Sequence, residues 1–376
     1  MARTTGHEMI LMNDFLAEPG ELRQKMLTTI SNVLESGSFI LGQHVREFES
    51  QWAKCSGAQH CVGVGNGMDA IEIGLRALGV GSNDEVITAP MTAFATVLAI
   101  MRAGATPVFA DIDPDTAILD PESVKRCLTP RTKAIILVHL YGRAGPIDEL
   151  SVLAQDRNIH LVEDCAQAHL ARYKGRAIGS FGRFSAWSFY PTKNLGAIGD
   201  AGALVTSDEQ IAVKAKALRH YGQTMRGNHP VLGMNSRLDE VQAAALLVRL
   251  PYLSRWTERR RAIAKRYLQE ICHPEVELLV TPTDAERHVY HLFVIVCPRR
   301  AALQEYLMSQ GIESIVHYRV PAHFQDPCKA LPRDSFGLKH SEQHAETCLS
   351  LPCHPGLSDA DIQDIIEAVN AFPAST

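Results

Sequence analysis

The 376-residue sequence lacks the features of several broad protein classes. No stretch approaches the roughly 18 apolar residues of a membrane helix, and the apolar run Met9–Met12 is too short for a signal-peptide core. Lys and Arg total 37 against 42 Asp and Glu, so no basic excess indicates nucleic-acid binding. Because 46% of the residues are hydrophobic, the composition excludes a disordered chain as well.

Cysteine and histidine usage predicts neither disulfides nor a metal. The nine cysteines include no Cys-x-x-Cys pair, and an odd number in a long chain argues against a disulfide framework. We therefore predict a cytoplasmic protein with reduced thiols that contacts neither membrane nor nucleic acid. His340, His344 and Cys348 recur at intervals of four, and we interpret them as one solvated helix face, with no metal site.

From about residue 60 to 210, short apolar runs alternate with helical stretches. Such alternation predicts an α/β fold in which helices cover both faces of a mostly parallel central sheet. Ligands of these sheets lie at the carboxyl ends of the strands. The predicted strands of this part are Cys61–Val64, Glu85–Thr88, Pro107–Ile112, Ala134–His139 and Ile159–Val162.

A second α/β region follows, so we predict a large domain over residues 14–250 and a smaller one over 251–376. It begins with the basic helix Ser254–Ile271, whose Arg259–Arg261 triplet we interpret as a solvated face, with an oligomer contact as the alternative. Glu313–Tyr318 is predicted to be a strand of this region.

A glycine-rich turn is the first candidate site. Gly63–Met68 joins a predicted strand to a predicted helix, and such turns present backbone N–H groups to phosphates. A dinucleotide fingerprint would need glycine where Met68 stands, which disfavours a nicotinamide oxidoreductase. A purely structural turn is the alternative interpretation.

A strand-end carboxylate and a loop lysine follow. Asp164 comes directly after an apolar run, where it needs a cation or hydrogen-bond donors, unless it only caps the next segment. Lys193 lies in a loop between Phe184–Phe189 and Gly202–Thr206. A loop lysine is usually solvated, but one with a lowered pKa can form a Schiff base. The order of glycine turn, Asp164, Ser188 and Lys193 matches what pyridoxal phosphate requires.

Three longer segments make the pattern specific. Glu163–His169, Ser188–Leu195 and Asn235–Ala243 resemble the DegT/DnrJ/EryC1/StrS aminotransferases, and the resemblance runs from about Phe39 to Ala371. These are pyridoxal-phosphate enzymes of fold type I that transfer an amino group to keto-sugars, commonly nucleotide-linked. The resemblance implies a PLP-dependent aminotransferase of amino-sugar biosynthesis that takes its amino group from an amino acid. L-Glutamate is the expected donor.

The resemblance also implies roles for residues around the cofactor ring. Lys193 would form the Schiff base and then shuttle a proton, and Asp164 would pair with the pyridinium nitrogen. Gln167 would hydrogen-bond the ring hydroxyl and Ala166 would pack on one ring face. Ala93 or Phe94 stands at the stacking position, and Phe94 is the expected partner of the ring. Some relatives carry histidine at the lysine position and act as dehydratases, so lysine at 193 implies an aminotransferase.

Phosphate and substrate contacts complete the implied site. Backbone groups of Gly67 and Met68, with the Ser188 hydroxyl, would hold the phosphate, and Asn235 would reach it from the other subunit of a homodimer with shared sites. Tyr318 and His323 would line the substrate pocket, although a structural histidine is an equal interpretation of His323. A keto-cyclitol acceptor and a non-catalytic regulatory protein are the alternative functions.

Overall fold

The computed structural model describes residues 9–374. Within these residues no helix is long and apolar enough to cross a membrane. The strands are β1 (His60–Val64), β2 (Glu85–Thr88), β3 (Thr106–Phe109), β4 (Thr132–Val138), β5 (His160–Asp164), β6 (Arg172–Tyr173), β7 (Arg176–Ala177), β8 (Ser185–Ser188), β9 (Gly202–Thr206), β10 (Glu277–Leu278), β11 (Phe293–Val296) and β12 (Cys348–Leu351). The α-helices are α1 (Gly20–Ser36), α2 (Gln43–Cys55), α3 (Gly67–Ala77), α4 (Phe94–Arg102), α5 (Pro121–Cys127), α6 (Ile147–Asp156), α7 (Glu209–Leu218), α8 (Glu240–Arg249), α9 (Leu253–Glu270), α10 (Arg300–Ser309), α11 (Lys339–Thr347) and α12 (Asp359–Asn370).

Seven strands form the central sheet, in the order β1-β9-β8-β5-β4-β2-β3. The pairs from β8 through β5, β4 and β2 to β3 are parallel, whereas β9 runs antiparallel to both of its neighbours. The strands of this sheet are almost entirely buried, as expected of a sheet with helices on both faces. The mostly parallel α/β sheet predicted from the sequence is confirmed.

An aromatic cluster supports the strand that leads to the lysine loop. The Trp52 ring of α2 meets Trp187 of β8 and Phe189 edge-on, with centroids 5.0 and 5.2 Å apart. His169 packs into the same group, 5.4 Å from Trp187. Edge-to-face pairs at these distances are favourable, so the chain between β8 and Lys193 rests on a densely packed base.

A second, antiparallel sheet of β10, β11 and β12 follows in the C-terminal part. It carries its own hydrophobic core, to which α9, α10 and α12 contribute. No observation tests the boundary at residue 250, so the division into 14–250 and 251–376 stays a prediction.

The predicted strand Glu313–Tyr318 is wrong. Only isolated bridges occur there, pairing Ile312 with Ile10 and Ile315 with Ser350. Beyond Ile315 the chain leaves the sheet, because the Tyr141 hydroxyl binds the carbonyl of residue 317 and Gln167 binds the Tyr318 hydroxyl. This departure brings Tyr318 to the large sheet.

The predicted solvated face of the α9 arginines is wrong for Arg260. Its side chain is buried, with 5% of its surface exposed, and Nη1 donates to three main-chain carbonyls, of which that of Cys353 is 2.7 Å away. Its neighbours do lie near the surface, where Arg259 pairs with Asp359 at 2.8 Å. One residue of a basic triplet thus points inward, because successive helical residues are rotated by about 100°.

Candidate active site

The glycine-rich turn places the start of α3 against the ends of β8 and β9. Asn66 caps the helix by accepting the N–H of Asp69 at 2.8 Å, and the first N–H groups of a helix have no acceptor within it. A Cβ on Gly67 would lie 2.8 Å from Cβ of Ser188, and one on Gly202 would lie 2.3 Å from the carbonyl carbon of Asn66. Glycine is therefore required for this close approach, which sets the Ser188 side chain beside the helix N-terminus.

Asp164 ends β5 at the carboxyl edge of the sheet, as predicted. It is buried, and its two oxygens accept from the Thr96 hydroxyl at 2.7 Å and from the N–H of Ala166 at 3.1 Å. Thr96 in turn contacts the Thr92 hydroxyl at 3.0 Å. Each carboxylate oxygen can accept two hydrogen bonds, so Asp164 is held in place and still has capacity for a cationic N–H.

Lys193 lies in a tight loop that several main-chain bonds shape. Its N–H donates to the carbonyl of Tyr190 at 2.8 Å, and Arg249 donates to the carbonyl of Gly196 at 2.6 Å. Burial lowers the pKa of the Lys193 amine from 10.5 to about 8, although the charge of Asp164 acts in the opposite direction. A lysine with such a pKa can serve as both nucleophile and proton carrier near neutral pH.

Three histidines near Lys193 are uncharged at neutral pH. Burial lowers the pKa of His169 to about 3 and that of His317 to about 4, and the Lys193 charge adds to both effects. The pKa of His291 is well below its usual range for the same two reasons. Consequently these three histidines add no charge near the amine, and the Asp164 carboxylate is the group whose charge raises the pKa of Lys193 against the effect of burial.

Gln167 connects the sheet edge to Tyr318. Its Oε1 accepts the N–H of Tyr141 at 2.6 Å, and its Nε2 donates to the Tyr318 hydroxyl at 3.0 Å. The Tyr141 hydroxyl donates to the carbonyl of His317 at 2.5 Å and also contacts His344, 3.0 Å away. One N–H of Gln167 remains for a further acceptor, which agrees with the implied contact to a ring hydroxyl without testing it.

Three other predicted site residues have their contacts outside this group. Phe94 begins α4 and is half-buried against a small apolar cluster that includes Phe109. His323 is buried near the same cluster, with its Nε2 3.1 Å from Glu342, which suits the structural interpretation of this histidine. Asn235 is exposed and pairs through its backbone with His220. The roles predicted for these three residues stay predictions.

Three residues of the site were not predicted from the sequence. Thr96 and Tyr141 hold Asp164 and Gln167 through the bonds described above, and Ser236 spans the glycine turn. Its hydroxyl accepts the N–H of Gly65 at 3.0 Å and donates to Asp69 at 2.7 Å. Ser236 follows Asn235 in a segment of the family resemblance, so its position beside the turn carried a signal, whereas Tyr141 had none.

The one cluster of possible metal ligands within residues 9–374 is His139, Glu163 and Cys165. His139 contacts Glu163 at 3.1 Å and accepts the N–H of Gly145 at 3.1 Å. Glu163 also accepts three N–H groups of the segment 179–182 at 2.7–2.8 Å. Both side chains already have protein partners, so we assign His139 and Glu163 a structural role: they fix β5 to the segments beside it. The predicted histidine face on α11 is also partly buried, since His344 contacts Tyr141.

The residues present fit pyridoxal phosphate. The helix N-terminus beside Ser188 forms a cradle for an anion, the Asp164 carboxylate has capacity for a protonated ring nitrogen, and Lys193 has the lowered pKa that a Schiff-base lysine needs. All of these groups come from the carboxyl ends of neighbouring strands or from the turn beside them. The chemistry of the donor set therefore agrees with the cofactor implied by the motifs.

Comparisons with known proteins extend over nearly the whole chain. Residues 21–370 match the DegT/DnrJ/EryC1/StrS aminotransferase family. The chain is 42% identical over 363 residues to a pleiotropic regulatory protein of Geobacillus stearothermophilus, covering 96% of this chain and 98% of that one. It is 42% identical over 360 residues to the dTDP-3-amino-3,4,6-trideoxy-alpha-D-glucose transaminase of Streptomyces venezuelae, covering 96% and 95%. The crystal structure of S. venezuelae DesV with a ketimine intermediate has a TM-score of 0.93 at 41% identity, covering 97% and 98%.

Proposed function

The chain belongs to the DegT/DnrJ/EryC1/StrS aminotransferase family, and we propose that it transfers an amino group from an amino acid to a nucleotide-linked keto-sugar. The proposed donor is L-glutamate. As a member of this family it is a pyridoxal-phosphate-dependent aminotransferase. The family, fold class and cofactor predicted from the motifs are thereby confirmed. The substrates are the part that we propose.

The observation that carries this function is the Lys193 amine, with its pKa lowered to about 8, at the sheet edge that also bears Asp164 and the anion cradle. The nucleotide-sugar acceptor is supported by the S. venezuelae relative, whose name is that of a dTDP-amino-sugar transaminase. The Geobacillus relative is named a regulatory protein, but a non-catalytic role gives no reason to bury a lysine beside an anion cradle.

The chain's own groups suffice for the proton movements of such a transfer. When bound, the cofactor supplies the electron sink that stabilises a carbanion at the substrate carbon. Near pH 8 the Lys193 amine is about half deprotonated, so Nζ can accept a proton from one carbon and return it to another position. Asp164, fixed by Thr96 and the N–H of Ala166, favours a protonated ring nitrogen. The neutral histidines leave this charge arrangement undisturbed.

We further propose a homodimer whose sites share residues, with a cytoplasmic location. Large exposed apolar side chains lie around the start of α8, among them Phe39, Ile40 and Ile198. Phe39 and Ile40 pair through their backbone with residues 240 and 239, and the N–H of Ile198 donates to Gln242. The adjoining loop exposes four more, Tyr221, Met225, Val231 and Leu232. Such a patch suits a protein interface, and it neighbours the exposed Asn235.

A product analysis tests the acceptor. Purified enzyme is incubated with L-glutamate and a panel of dTDP- and UDP-keto-sugars and keto-cyclitols, and aminated products are identified by mass spectrometry. We expect amination of a nucleotide-linked sugar that is lost in Lys193→Ala, which also loses the visible absorbance of the lysine-bound cofactor. Amination of a free keto-cyclitol alone would contradict the proposed acceptor and favour the alternative.

Mixing two inactive variants tests the shared site. If Asn235 acts across the interface, co-refolded Lys193→Ala and Asn235→Ala chains form mixed dimers with one intact site. Random pairing then restores about a quarter of the wild-type activity. No recovery, with dimers verified by light scattering, would place Asn235 outside the partner's site.

A further inference from the structure

A cavity of about 350 Å³ adjoins the loop that carries Lys193. One wall is formed by residues 191–194 and another by the N-terminal segment 13–22, and the start of α9 and residues 354–356 close the remaining sides. A volume of this size is at the small end of small-molecule sites. Lys193 itself is one of the lining residues, so the cavity adjoins the residue that carries the reacting amine.

Arg260 lines this cavity as a buried cation without a counter-ion. Within residues 9–374 no carboxylate lies within ion-pair distance of it, and its hydrogen bonds all run from Nη1 to main-chain carbonyls. Nε has no partner, and no described group accepts from Nη2 either. Burial of an uncompensated guanidinium is costly, and burial also lowers the pKa of Arg260. The protein therefore maintains an unused donor at the cavity wall.

Two of the other arginines in the wall are already neutralised. Arg249 pairs with Glu18 at 2.5 Å, and Arg259 pairs with Asp359 at 2.8 Å. Neither pair leaves a full charge for a ligand. The positive charge that remains must come from elsewhere in the wall.

The remaining charges leave the cavity with a small positive excess. Arg255 is exposed, and no described residue pairs with it. Asp14 is the one other acidic residue of the wall, and its Oδ1 accepts the N–H groups of residues 16 and 17. Arg255 and Arg260 against Asp14 leave about one positive charge beside Lys193. This excess suits a single carboxylate better than a diphosphate, which carries more negative charge.

Arg260 belongs to the same hydrogen-bonded frame as the lysine loop. Its Nη1 donates to the carbonyl of His291 at 3.3 Å, and Nδ1 of His291 contacts the Asn194 amide oxygen at 3.2 Å. Asn194 follows Lys193 directly in the chain, and its Nδ2 donates to the carbonyl of Val289 at 3.2 Å. The guanidinium and the lysine loop are consequently linked through His291 by two hydrogen bonds.

We propose that this cavity binds a carboxylate of the amino-acid donor, with Arg260 Nη2 as the fixed donor group and Arg255 as a second cation at the surface. Arginine presents paired N–H groups that match a carboxylate. The inference rests on the proposed aminotransferase function and assigns a binding site to the first of its two substrates.

The test measures binding of glutarate, which has the carboxylates of L-glutamate but no amine to react. Titration calorimetry is performed on the purified, cofactor-loaded protein and on two variants, Arg255→Gln and Arg260→Lys. We expect the glutarate Kd to rise about tenfold in Arg260→Lys and about threefold in Arg255→Gln, as for charged hydrogen bonds that are buried or exposed. Lys265→Gln removes an exposed charge elsewhere on α9 and serves as the matched control with an unchanged Kd.

Several outcomes would overturn the assignment. Equal glutarate binding by all four proteins, or none by wild type, would remove the cavity from donor binding. Displacement of glutarate by uridine diphosphate would make the site a phosphate site of the acceptor. Arg260→Lys could alter folding, but Arg255 is exposed, so its variant keeps the test decisive.

The KM values for L-glutamate separate this inference from the proposed function. If wild type aminates a keto-sugar while both arginine variants keep its KM for L-glutamate, the cavity assignment fails and the function stands. If glutarate binding depends on both arginines but no keto-sugar is aminated, the binding site stands and the proposed function fails.

Discussion

Replacing Lys193 by methionine should stabilise the cofactor-free protein. Within residues 9–374 the amine forms no hydrogen bond or ion pair, and burial lowers its pKa from 10.5 to about 8. Each tenfold loss of proton affinity is worth about 1.4 kcal/mol, so holding the charged amine in the folded protein costs up to about 3 kcal/mol. Methionine has a similar length and no charge, and it removes this cost.

The effect should depend on pH in a defined direction. Below pH 8 both the folded and the unfolded protein hold the proton, so the full penalty applies to wild type. Between about pH 8 and 10.5 the folded protein releases the proton first, and the stability of wild type rises toward that of the variant. We expect Lys193→Met to be more stable by up to about 3 kcal/mol at pH 7 and by little at pH 10.5.

Urea denaturation of cofactor-free protein, followed by tryptophan fluorescence, measures this difference. Lys265→Met is the matched control, because Lys265 is exposed and its replacement should change the free energy of unfolding by less than about 0.5 kcal/mol. If Lys193→Met were no more stable than wild type at pH 7, or its advantage were the same at both pH values, the lysine would not be held at a cost and the reasoning would be refuted.

Three further changes test the supporting contacts. Thr96→Val removes the 2.7 Å bond to Asp164 and should lower kcat about tenfold or more, with the visible spectrum of the bound cofactor as a second readout; unchanged kcat and spectrum would contradict this role. Gly67→Ala would place its Cβ 2.8 Å from that of Ser188, so equilibrium dialysis should show cofactor affinity reduced about tenfold, whereas Gly20→Ala, where an added Cβ meets no atom within 4 Å, should retain it. Tyr141→Phe loses the bonds to residues 317 and 344 and should reduce the free energy of unfolding by about 1 kcal/mol in urea, and an unchanged urea midpoint would show that these bonds contribute nothing.

The strands and their functional ends follow closely from the sequence, because buried parallel strands are short apolar runs. Glu85–Thr88 and Gly202–Thr206 were predicted at their observed bounds, and Asp164 was placed at the end of its strand. Those predictions use only the apolar composition of short segments and the rule that functional residues follow the carboxyl ends of parallel strands. Local patterns do not predict the backbone conformation where contacts with distant residues determine it. Residues 313–318 are such a case, because the chain leaves the sheet there to contact Tyr141 and Gln167.

Residues that act through another side chain were the ones the sequence did not reveal. Thr96 is 68 positions from Asp164, and Tyr141 is 176 from residue 317, so no spacing rule connects them. Arg260 was misinterpreted for the same reason, because a run of three arginines on a helix resembles a solvated face. Its burial depends on the carbonyls of residues 290, 291 and 353, which only the folded chain brings together.

The same burial that lowers the pKa of Lys193 also keeps its neighbours uncharged. His169 donates Nε2–H to the carbonyl of Ser188 at 3.0 Å, and its Nδ1 has no partner, so protonation would add a second buried charge beside the amine. A cationic histidine there would lower the pKa of Lys193 further and compete with it for Asp164. Because the histidines are neutral, Asp164 and Lys193 are the charged groups at the sheet edge, and Arg260 is the cation left for a ligand. The site accordingly gives up folding stability for a lysine that can lose its proton near neutral pH.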